Sequence, residues 1–463
     1  MNSKNVVLLG GSNSVMVNGL QKGLREGIIK YNQDENRTCN LEFYNFALGG
    51  TSSIQKLYEI KRVRNSNIIS NAELIIMESN INDLINDPCF YKEENKPLSI
   101  VYRDIYWLYQ ELYFLNKKIL ILILPIQLGA YKLINNIHRF LCQKFNFNLI
   151  DMQIYYEKNN LEEFGNRIDT PHQQASIMKE FGRCIVDNID KFNFKEPISI
   201  KNDNPEFKIC TPKEMHQLNK KLQCTIMKNS MFNEITYRLN ENDSLQFPFW
   251  AYKYTLIGMH TWSNYELEGI KLNYGNGECA KYCSDIKFKN KNTSINKEHA
   301  FLNHFVGFNA NFIIDDQSFV VFNKSGDAQF KESHPSVGWR GYKKKVNHCD
   351  IISFFLASPE GNYHTEEIDF EALANENIEI PEEYNFNHLI PPIELYKEII
   401  DEYCATMDPR KLASLQKQIS VLTQEKQDLQ NKFQNELNSL PAKKQRLELA
   451  NLEQDLIIKK LES

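Results

Sequence analysis

Residues 5–14 read NVVLLGGSNS. A short run of valine and leucine is typical of a buried strand, and two glycines let the backbone turn sharply into a helix. The turn places the hydroxyl of Ser12 at the start of that helix, where serine is also common as a helix cap. The segment predicts a strand–turn–helix unit and leaves Ser12 open as either a cap or a nucleophile.

The same alternation of strand and helix patterns continues to about residue 190. Apolar runs predict strands at 5–9, 41–46, 74–78, 118–125 and 146–152, with helices at 14–31, 53–63, 98–115 and 130–145. A further helix follows Pro171, since proline suits a first helical turn. Strands separated in this way by helices predict an α/β domain over residues 1–195, with a parallel sheet covered on both faces.

Beyond residue 205 the chain changes character twice. Short aromatic and β-branched runs with turn signals predict a β-rich, sandwich-like domain over 205–360, with strands among them at 247–254 and 300–308. Residues 361–408 are acidic and contain prolines, so we expect a connector there.

The last segment, 409–463, has apolar residues at heptad spacing. They are Leu412, Leu415, Ile419, Leu422, Leu429 and Phe433, and Lys426 interrupts one a position. Pro441 predicts a break in the helix. The pattern predicts a coiled coil, with a folded-back helical hairpin as the alternative, and indicates a homo-oligomer.

Composition excludes several classes of function. The formal net charge of −5 provides no broad basic surface for nucleic acid. No apolar run approaches the about 20 residues of a membrane span, and the apolar run near the N-terminus is too short for an export signal. We therefore expect a cytoplasmic protein whose ten cysteines are reduced thiols. The spacing of Cys279 and Cys283 is not that of a metal site, and no metal is expected.

Four polar segments follow predicted strands or precede the last predicted helix of the α/β domain. They read LLGGSNS at 8–14, NFALGGTS at 45–52, ESNIND at 78–83 and DTPH at 169–172. A glycine N–H or an asparagine amide can donate to an oxyanion, and a carboxylate three residues before a histidine can fix its tautomer. Each segment alone is equally compatible with a cap or a polar turn.

Together, the order and spacing of these segments resemble the SGNH (GDSL-like) hydrolase superfamily, and its carbohydrate O-acetyltransferase and esterase members in particular. The resemblance covers about the first 190 residues and implies a flavodoxin-like three-layer fold. It implies Ser12 as the nucleophile, His172 as its base and Asp169 as the residue that orients the base. It further implies an oxyanion hole formed by the Ser12 and Gly50 N–H groups and the Asn82 side chain.

The sequence departs from the superfamily pattern at two positions. Gly11 stands where the superfamily usually has aspartate, and Asn80 stands where it usually has glycine. Neither change removes a group that takes part in bond chemistry, although losing the aspartate could loosen the nucleophile turn. Ser14 is a second candidate nucleophile, but it is predicted to lie inside the helix rather than at the turn.

Three functions remain open at this point. The cytoplasmic expectation favours O-acetyl transfer from acetyl-CoA, with no bound cofactor, to a bacterial capsule-type polysaccharide. A carbohydrate acetylesterase is the first alternative, and a non-catalytic oligomeric scaffold is the second. In the β-rich region Trp250, Trp262 and Trp339 could stack on sugar rings or could be core residues. The histidines at 260, 304, 334 and 348 show no ligand spacing.

Overall fold

The computed structural model describes residues 2–85, 97–162, 171–263, 266–267, 270–271, 282–333, 344–406 and 409–461. The predicted residues Asp169, Cys279, His334 and Trp339 lie outside these ranges. Contacts divide the chain into two units, Met1–Pro391 and Pro392–Ser463. The first unit contains both the α/β part and the β-rich part, and the second consists of helices.

A five-stranded parallel sheet forms the centre of the α/β part, as the sequence predicts. Its strands are β1 (Asn2–Leu9), β2 (Cys39–Asn45), β3 (Ala72–Glu78), β4 (Lys118–Ile123) and β5 (Asn148–Asp151). Their order is β2-β1-β3-β4-β5, which is the flavodoxin-like order. All six residues of β4 (KILILI) are buried, and a strand buried on both sides requires cover on both faces of the sheet.

The helices of the α/β part supply that cover. They are α1 (Ser12–Val15), α2 (Leu20–Asn32), α3 (Ser53–Lys61), α4 (Ser66–Ser70), α5 (Asn80–Ile85), α6 (Leu98–Phe114), α7 (Tyr131–Phe145), α8 (Met152–Asn159) and α9 (Ala175–Asp187). α2 packs against α9, and α6 packs against α3 and α7. The single helix predicted at 14–31 is divided into α1 and α2, because the chain leaves helical geometry between Met16 and Gly19.

The β-rich part contains two large sheets, one antiparallel and one mixed with two parallel strand pairs, and a short hairpin. The strands are β6 (Phe207–Cys210), β7 (His216–Gln217), β8 (Gln223–Lys228), β9 (Asn233–Asn240), β10 (Ser244–Gln246), β11 (Thr255–Trp262), β12 (Glu266–Leu267), β13 (Ile270–Lys271), β14 (Tyr282–Lys289), β15 (Ser294–Ala300), β16 (Asn303–Gly307), β17 (Phe319–Phe322), β18 (Phe330–Ser333), β19 (Lys344–Lys345) and β20 (His348–Ala357). One sheet runs β18-β15-β14-β17-β10-β7 with β19 beside β14, and the other runs β16-β11-β20-β9-β8 with β6 beside β20.

One apolar core joins the two large sheets. Leu245 of β10 and Phe288 of β14 come from the first sheet, and Met259 of β11 and Phe354 of β20 come from the second. All four side chains are completely buried. Face-to-face packing of two sheets around such a core gives the sandwich-like arrangement that the sequence indicates.

The segment predicted as a strand at 247–254 instead contains a short 3₁₀ helix, Phe249–Ala251, followed by a turn at 252–253. Pro248 has no N–H to donate to a sheet, so the strand pattern ends at β10. As a result Phe249 is 82% exposed and Trp250 is 37% exposed. Trp262, in contrast, lies in β11 and is 1% exposed, so it is a core residue.

The α/β part and the β-rich part share a polar contact around α3. The Tyr58 hydroxyl lies 2.7 Å from Ser353 Oγ of β20. Arg62, immediately after α3, donates from both terminal nitrogens to Glu234 of β9 at 2.9 and 2.6 Å. These groups are mostly shielded from water, where a bidentate arginine–carboxylate pair is strong and directional.

Residues 361–391, expected to belong to a connector, pack against the α/β part. A short helix, α10 (Phe370–Asn375), is followed by residues that bond to the sheet. Asn136 of α7 donates to Leu373 O at 2.8 Å, and Phe386 N–H donates to Leu149 O of β5 at 2.9 Å. The sequence analysis predicts a connector at 361–408 and does not predict that residues 361–391 pack against the α/β part.

The second unit consists of α11 (Ile393–Thr406) and α12 (Pro409–Leu461). The predicted break at Pro441 is wrong in this structure, because α12 continues through that residue as one helix of 53 residues. The helical-hairpin alternative is therefore also wrong. Of the helices in the described part of the chain, none is both long and apolar enough to cross a bilayer.

Candidate active site

The register of the parallel sheet brings three of the four polar segments together. Leu8 of β1 lies beside Asn45 of β2 and Ile76 of β3, so these three strands end at the same edge. Just beyond that edge, Leu48 N–H donates to Gly10 O at 3.1 Å. The nucleophile turn therefore lies between the segment after β2 and the segment after β3, at the carboxyl edge where ligands bind in such sheets.

The fourth segment contributes His172 to the same place. Its Nε2 lies 2.8 Å from Oγ of Ser12, although the two residues are 160 positions apart in the chain. Both residues are half-buried. A serine hydroxyl at this distance can give its proton to the imidazole as it attacks a carbonyl carbon.

Glu78, at the end of β3, supports the nucleophile turn. Its Oε2 accepts from Gly11 N–H and from Ser14 Oγ, each at 2.9 Å, and the side chain is completely buried. Ser14, the second candidate nucleophile, is also completely buried and its hydroxyl is directed to Glu78. The structure thus places Ser12, and not Ser14, beside His172. The carboxylate that the superfamily pattern usually carries at position 11 is absent here, and Glu78 binds the turn instead.

Gly11 lies directly against Asn82. A Cβ atom at position 11 would lie 1.6 Å from Asn82 Oδ1, which is far inside van der Waals contact. The side-chain amide of Asn82 therefore occupies the space that an aspartate at position 11 would need. This contact places the predicted oxyanion donor beside the nucleophile turn, and it gives a steric reason for the first departure from the superfamily pattern.

The glycine pair after β2 lies on the other side of Ser12. A Cβ atom at Gly49 would lie 3.8 Å from Ser12 Cβ, which is ordinary contact distance. Gly50 has φ of +69°, a conformation that favours glycine and reorients the next peptide group. Whether the Gly50 N–H donates to an oxyanion stays a prediction, as does the same role for Asn82 and for the Ser12 N–H.

Asn80, the second departure from the superfamily pattern, links two strand ends. Its amide nitrogen donates to Leu124 O at 2.8 Å and to Asn135 Oδ1 at 2.9 Å, and its oxygen accepts from Leu124 N–H at 3.0 Å. Glycine could make none of these side-chain bonds. Asn80 therefore fixes the start of α5, and with it Asn82, against the chain that leaves β4.

Charged groups are buried immediately behind the site. Burial raises the pKa of Asp83, but bonds from His138 and from Ser53 outweigh that effect and keep its pKa below the usual value. Lys56 on α3 is completely buried, and burial lowers its pKa to about 8 despite the attraction of Glu78 and Asp83. Lys56 donates to the carbonyl and hydroxyl of Thr51, so it anchors the segment that contains Gly50.

The other predictions about the site have different outcomes. Asp169 lies outside the described residues, so its role in orienting His172 stays a prediction. Among the residues that the structure does describe, no group of three or more His, Cys, Asp and Glu side chains is arranged to hold a metal. Seven described cysteines carry free thiols, Cys283 among them. Acetyl-CoA as the donor and the cytoplasmic location remain predictions.

Comparisons with known proteins give structural neighbours only. No protein-family model matches the chain, and no curated protein matches its sequence. One similar structure is a two-domain esterase (CEX) active on acetylated mannans, co-crystallised with mannopentaose; it has 11% identity, a TM-score of 0.47, and covers 78% of this chain and 92% of that chain. The acetyl xylan esterase AlAXEase has 18% identity and a TM-score of 0.31, and the match covers 40% of this chain and 97% of that chain. A lipase/acylhydrolase from Enterococcus faecalis has 13% identity and a TM-score of 0.31, and the match covers 42% of this chain and 100% of that chain.

The α/β part has the flavodoxin-like fold that the superfamily resemblance implies. Its parallel sheet has the β2-β1-β3-β4-β5 order, and a serine follows the first strand. A histidine that precedes the last helix of this part reaches that serine. The flavodoxin-like fold expected from the sequence is therefore confirmed.

Proposed function

We propose that this protein is a serine esterase that hydrolyses acyl esters, with acetylated carbohydrate as the substrate class. The 2.8 Å contact between His172 Nε2 and Ser12 Oγ is the observation that carries the proposal. It favours an enzyme over a non-catalytic scaffold, because an unused hydroxyl and imidazole from distant parts of the chain have no need to meet at a strand end.

The mechanism follows from the positions of these groups. Ser12 Oγ attacks the ester carbonyl while His172 accepts its proton, and His172 then gives that proton to the departing alcohol. The negative oxygen formed in between would be held by the N–H groups of Ser12 and Gly50 and by the Asn82 amide. Water, activated by His172, attacks the acyl-enzyme and releases the acid and free Ser12.

We prefer hydrolysis as the fate of the acyl-enzyme because Ser12 and His172 are only partly buried. A transferase must keep water away from a reactive acyl group until its acceptor arrives. Transfer from acetyl-CoA to a polysaccharide, which the sequence favours, is kept as the alternative outcome of the first experiment.

We expect purified protein to release acetate from an acetylated polysaccharide, such as acetylated mannan, without any added acyl donor. In parallel, thiol release from acetyl-CoA is measured with and without a deacetylated polysaccharide. Acetate release that is abolished by Ser12→Ala supports the esterase. Thiol release that requires both Ser12 and the polysaccharide would replace it with the acetyltransferase.

A carbohydrate substrate also gives a use to the exposed aromatic side chains of the β-rich part. Phe249 and Trp250 are adjacent and exposed, and Lys208 lies 5.8 Å from the Trp250 ring. Aromatic faces in water commonly stack against the apolar faces of sugar rings. The glycan-binding role expected for this region therefore rests, as a proposal, on Phe249 and Trp250, since Trp262 is buried.

We further propose that α12 pairs with α12 of a second copy. Ile419, Leu422, Leu429 and Phe433 follow heptad spacing and are between 62% and 67% exposed. An apolar stripe of this length would remain in water on a single chain, whereas a parallel or antiparallel partner helix buries it.

Replacing two residues of the stripe is expected to prevent this pairing. Leu422→Lys combined with Leu429→Lys places two charges in the apolar seam, so the oligomer measured by light scattering should become a monomer. Val421→Lys is the matched control, because Val421 is also half-exposed on α12 but lies outside the heptad positions. A wild-type protein that is monomeric at micromolar concentration would contradict the proposal.

A further inference from the structure

The backbone around His172 is held by a side chain from the nucleophile helix. Asn13, the residue after Ser12, donates from Nδ2 to Pro171 O at 2.9 Å. Its Oδ1 accepts from Gln173 N–H, also at 2.9 Å. One planar amide therefore bonds the residue before His172 and the residue after it.

The bond to Gln173 is buried, the bond to Pro171 is partly buried, and both belong to a larger set of contacts. Asn13 and Gln173 are each 2% exposed. The Gln173 side chain continues the connection by donating to Pro125 O at 2.8 Å, in the segment that leaves β4. Removing one partner of a buried hydrogen bond leaves the other unsatisfied, which makes such bonds important for local geometry.

The segment itself has little other regular structure to fix it. Residues 171–174 form no helix or strand and lead into α9, which begins at Ala175. Regular secondary structure therefore does not set the position of the imidazole. Ser12 and Asn13 are consecutive residues of α1, so the group that holds the base is rigidly attached to the nucleophile.

We propose that Asn13 is a positioning residue that fixes the imidazole of His172 at Ser12 by holding the backbone on both sides of it. The proposal rests on the proposed serine esterase function. A displacement of about 1 Å at a reacting group can reduce the rate about 10²-fold. The two bonds of the Asn13 side chain go to the backbone on either side of His172, so we expect its effect to act through His172.

The test compares Asn13→Ala with wild type on two acetate esters. For p-nitrophenyl acetate we expect kcat/KM to fall about 10- to 100-fold in Asn13→Ala. For an alkyl acetate we expect a larger fall, because its alcohol must be protonated by His172 as it leaves whereas nitrophenolate leaves without a proton. General acid catalysis is worth about 10²–10⁴-fold, so the difference between the two esters is measurable.

Asn148→Ala is the matched control. Asn148 is 1% exposed and likewise bonds backbone groups across two segments, donating to Asn193 O at 2.8 Å and accepting from Asn193 N–H at 2.9 Å. It lies at the amino end of β5, at the opposite edge of the sheet from Ser12. We expect Asn148→Ala to lower Tm as much as Asn13→Ala while both esters are hydrolysed at the wild-type rate.

Each outcome decides between a positioning role and a structural one. Wild-type kcat/KM for both esters in Asn13→Ala, with Ser12→Ala inactive, would overturn the positioning role and leave the esterase intact. Equal activity in wild type and Ser12→Ala would instead remove the esterase itself. If Asn13→Ala does not fold, Asn13→Asp is judged by the same criteria, since it keeps the size and the acceptor for Gln173 but lacks the donor for Pro171.

Discussion

Ser12→Ala is expected to reduce ester hydrolysis to the background rate. The variant removes the only atom that can form the acyl-enzyme in the proposed mechanism, and loss of a serine nucleophile of this kind costs about 10⁶-fold in kcat. His172→Ala should cause a loss of the same order, because the two residues act as one unit and their effects are not additive. The measurement is kcat/KM for p-nitrophenyl acetate, with folding checked by circular dichroism.

Labelling with a fluorophosphonate separates this result from a general loss of structure. Such a reagent reacts with a serine only when a base activates it, so peptide mass spectrometry should locate the label on Ser12 in wild type and find none in His172→Ala. Ser70→Ala is a suitable control because Ser70 is exposed on α4, where its hydroxyl bonds only to Asn67 O in the described contacts. Hydrolysis that persists in Ser12→Ala would show that the nucleophile is wrongly assigned.

The strands of the parallel sheet could be predicted because they depend on local sequence pattern. The polar segments that follow these strands could then be expected to lie close together. Short apolar runs such as KILILI specify buried strands, and parallel strands of similar length end at one edge. In the flavodoxin-like order that the resemblance implies, β1 lies between β2 and β3, so residues that follow these three strands are neighbours. Ser12 and His172 follow from the same reasoning together with the superfamily resemblance, since the structure brings them into contact.

The supporting residues could not be predicted in this way. Glu78 bonds Gly11 across 67 positions, and Asn13 bonds Pro171 across 158 positions. Nothing in the sequence near Asn13 distinguishes it from a helix-capping asparagine, and Glu78 resembles any polar residue at a strand end. Their partners are defined only when the strands and loops are placed in three dimensions. The one related observation in the sequence is the missing carboxylate at position 11, which predicts a looser nucleophile turn but does not identify Glu78 as its support.

Two local predictions, the strand at 247–254 and the helix break at Pro441, are wrong, and both segments contain a proline. The run at 247–254 has the aromatic content of a strand, but Pro248 removes a ladder donor and the chain turns. Pro441 was expected to end a helix, because proline removes one bond and crowds the preceding turn. In α12 the helix nevertheless continues through that residue.

Gly11→Asp, which restores the usual residue of the superfamily pattern, is expected to inactivate the enzyme rather than improve it. A Cβ atom at position 11 would lie 1.6 Å from Asn82 Oδ1, so the Asn82 amide must leave its position. Losing one oxyanion donor typically costs about 10²–10³-fold in kcat. We expect Gly11→Asp to show this loss with p-nitrophenyl acetate, and Gly11→Ala to show most of it, because the Cβ atom alone causes the overlap.

A double-mutant cycle tests the cause. Asn82→Ala removes the same donor directly, so Gly11→Asp combined with Asn82→Ala should be no slower than the slower single variant. Gly19→Ala controls for a generic glycine effect, since a Cβ atom there would make only ordinary contacts of 3.7 Å. Full activity in Gly11→Asp would mean that Asn82 can move without cost, and therefore that it is not the oxyanion donor. Losses that multiply in the double variant would mean that position 11 acts on the nucleophile turn through Glu78 rather than through Asn82.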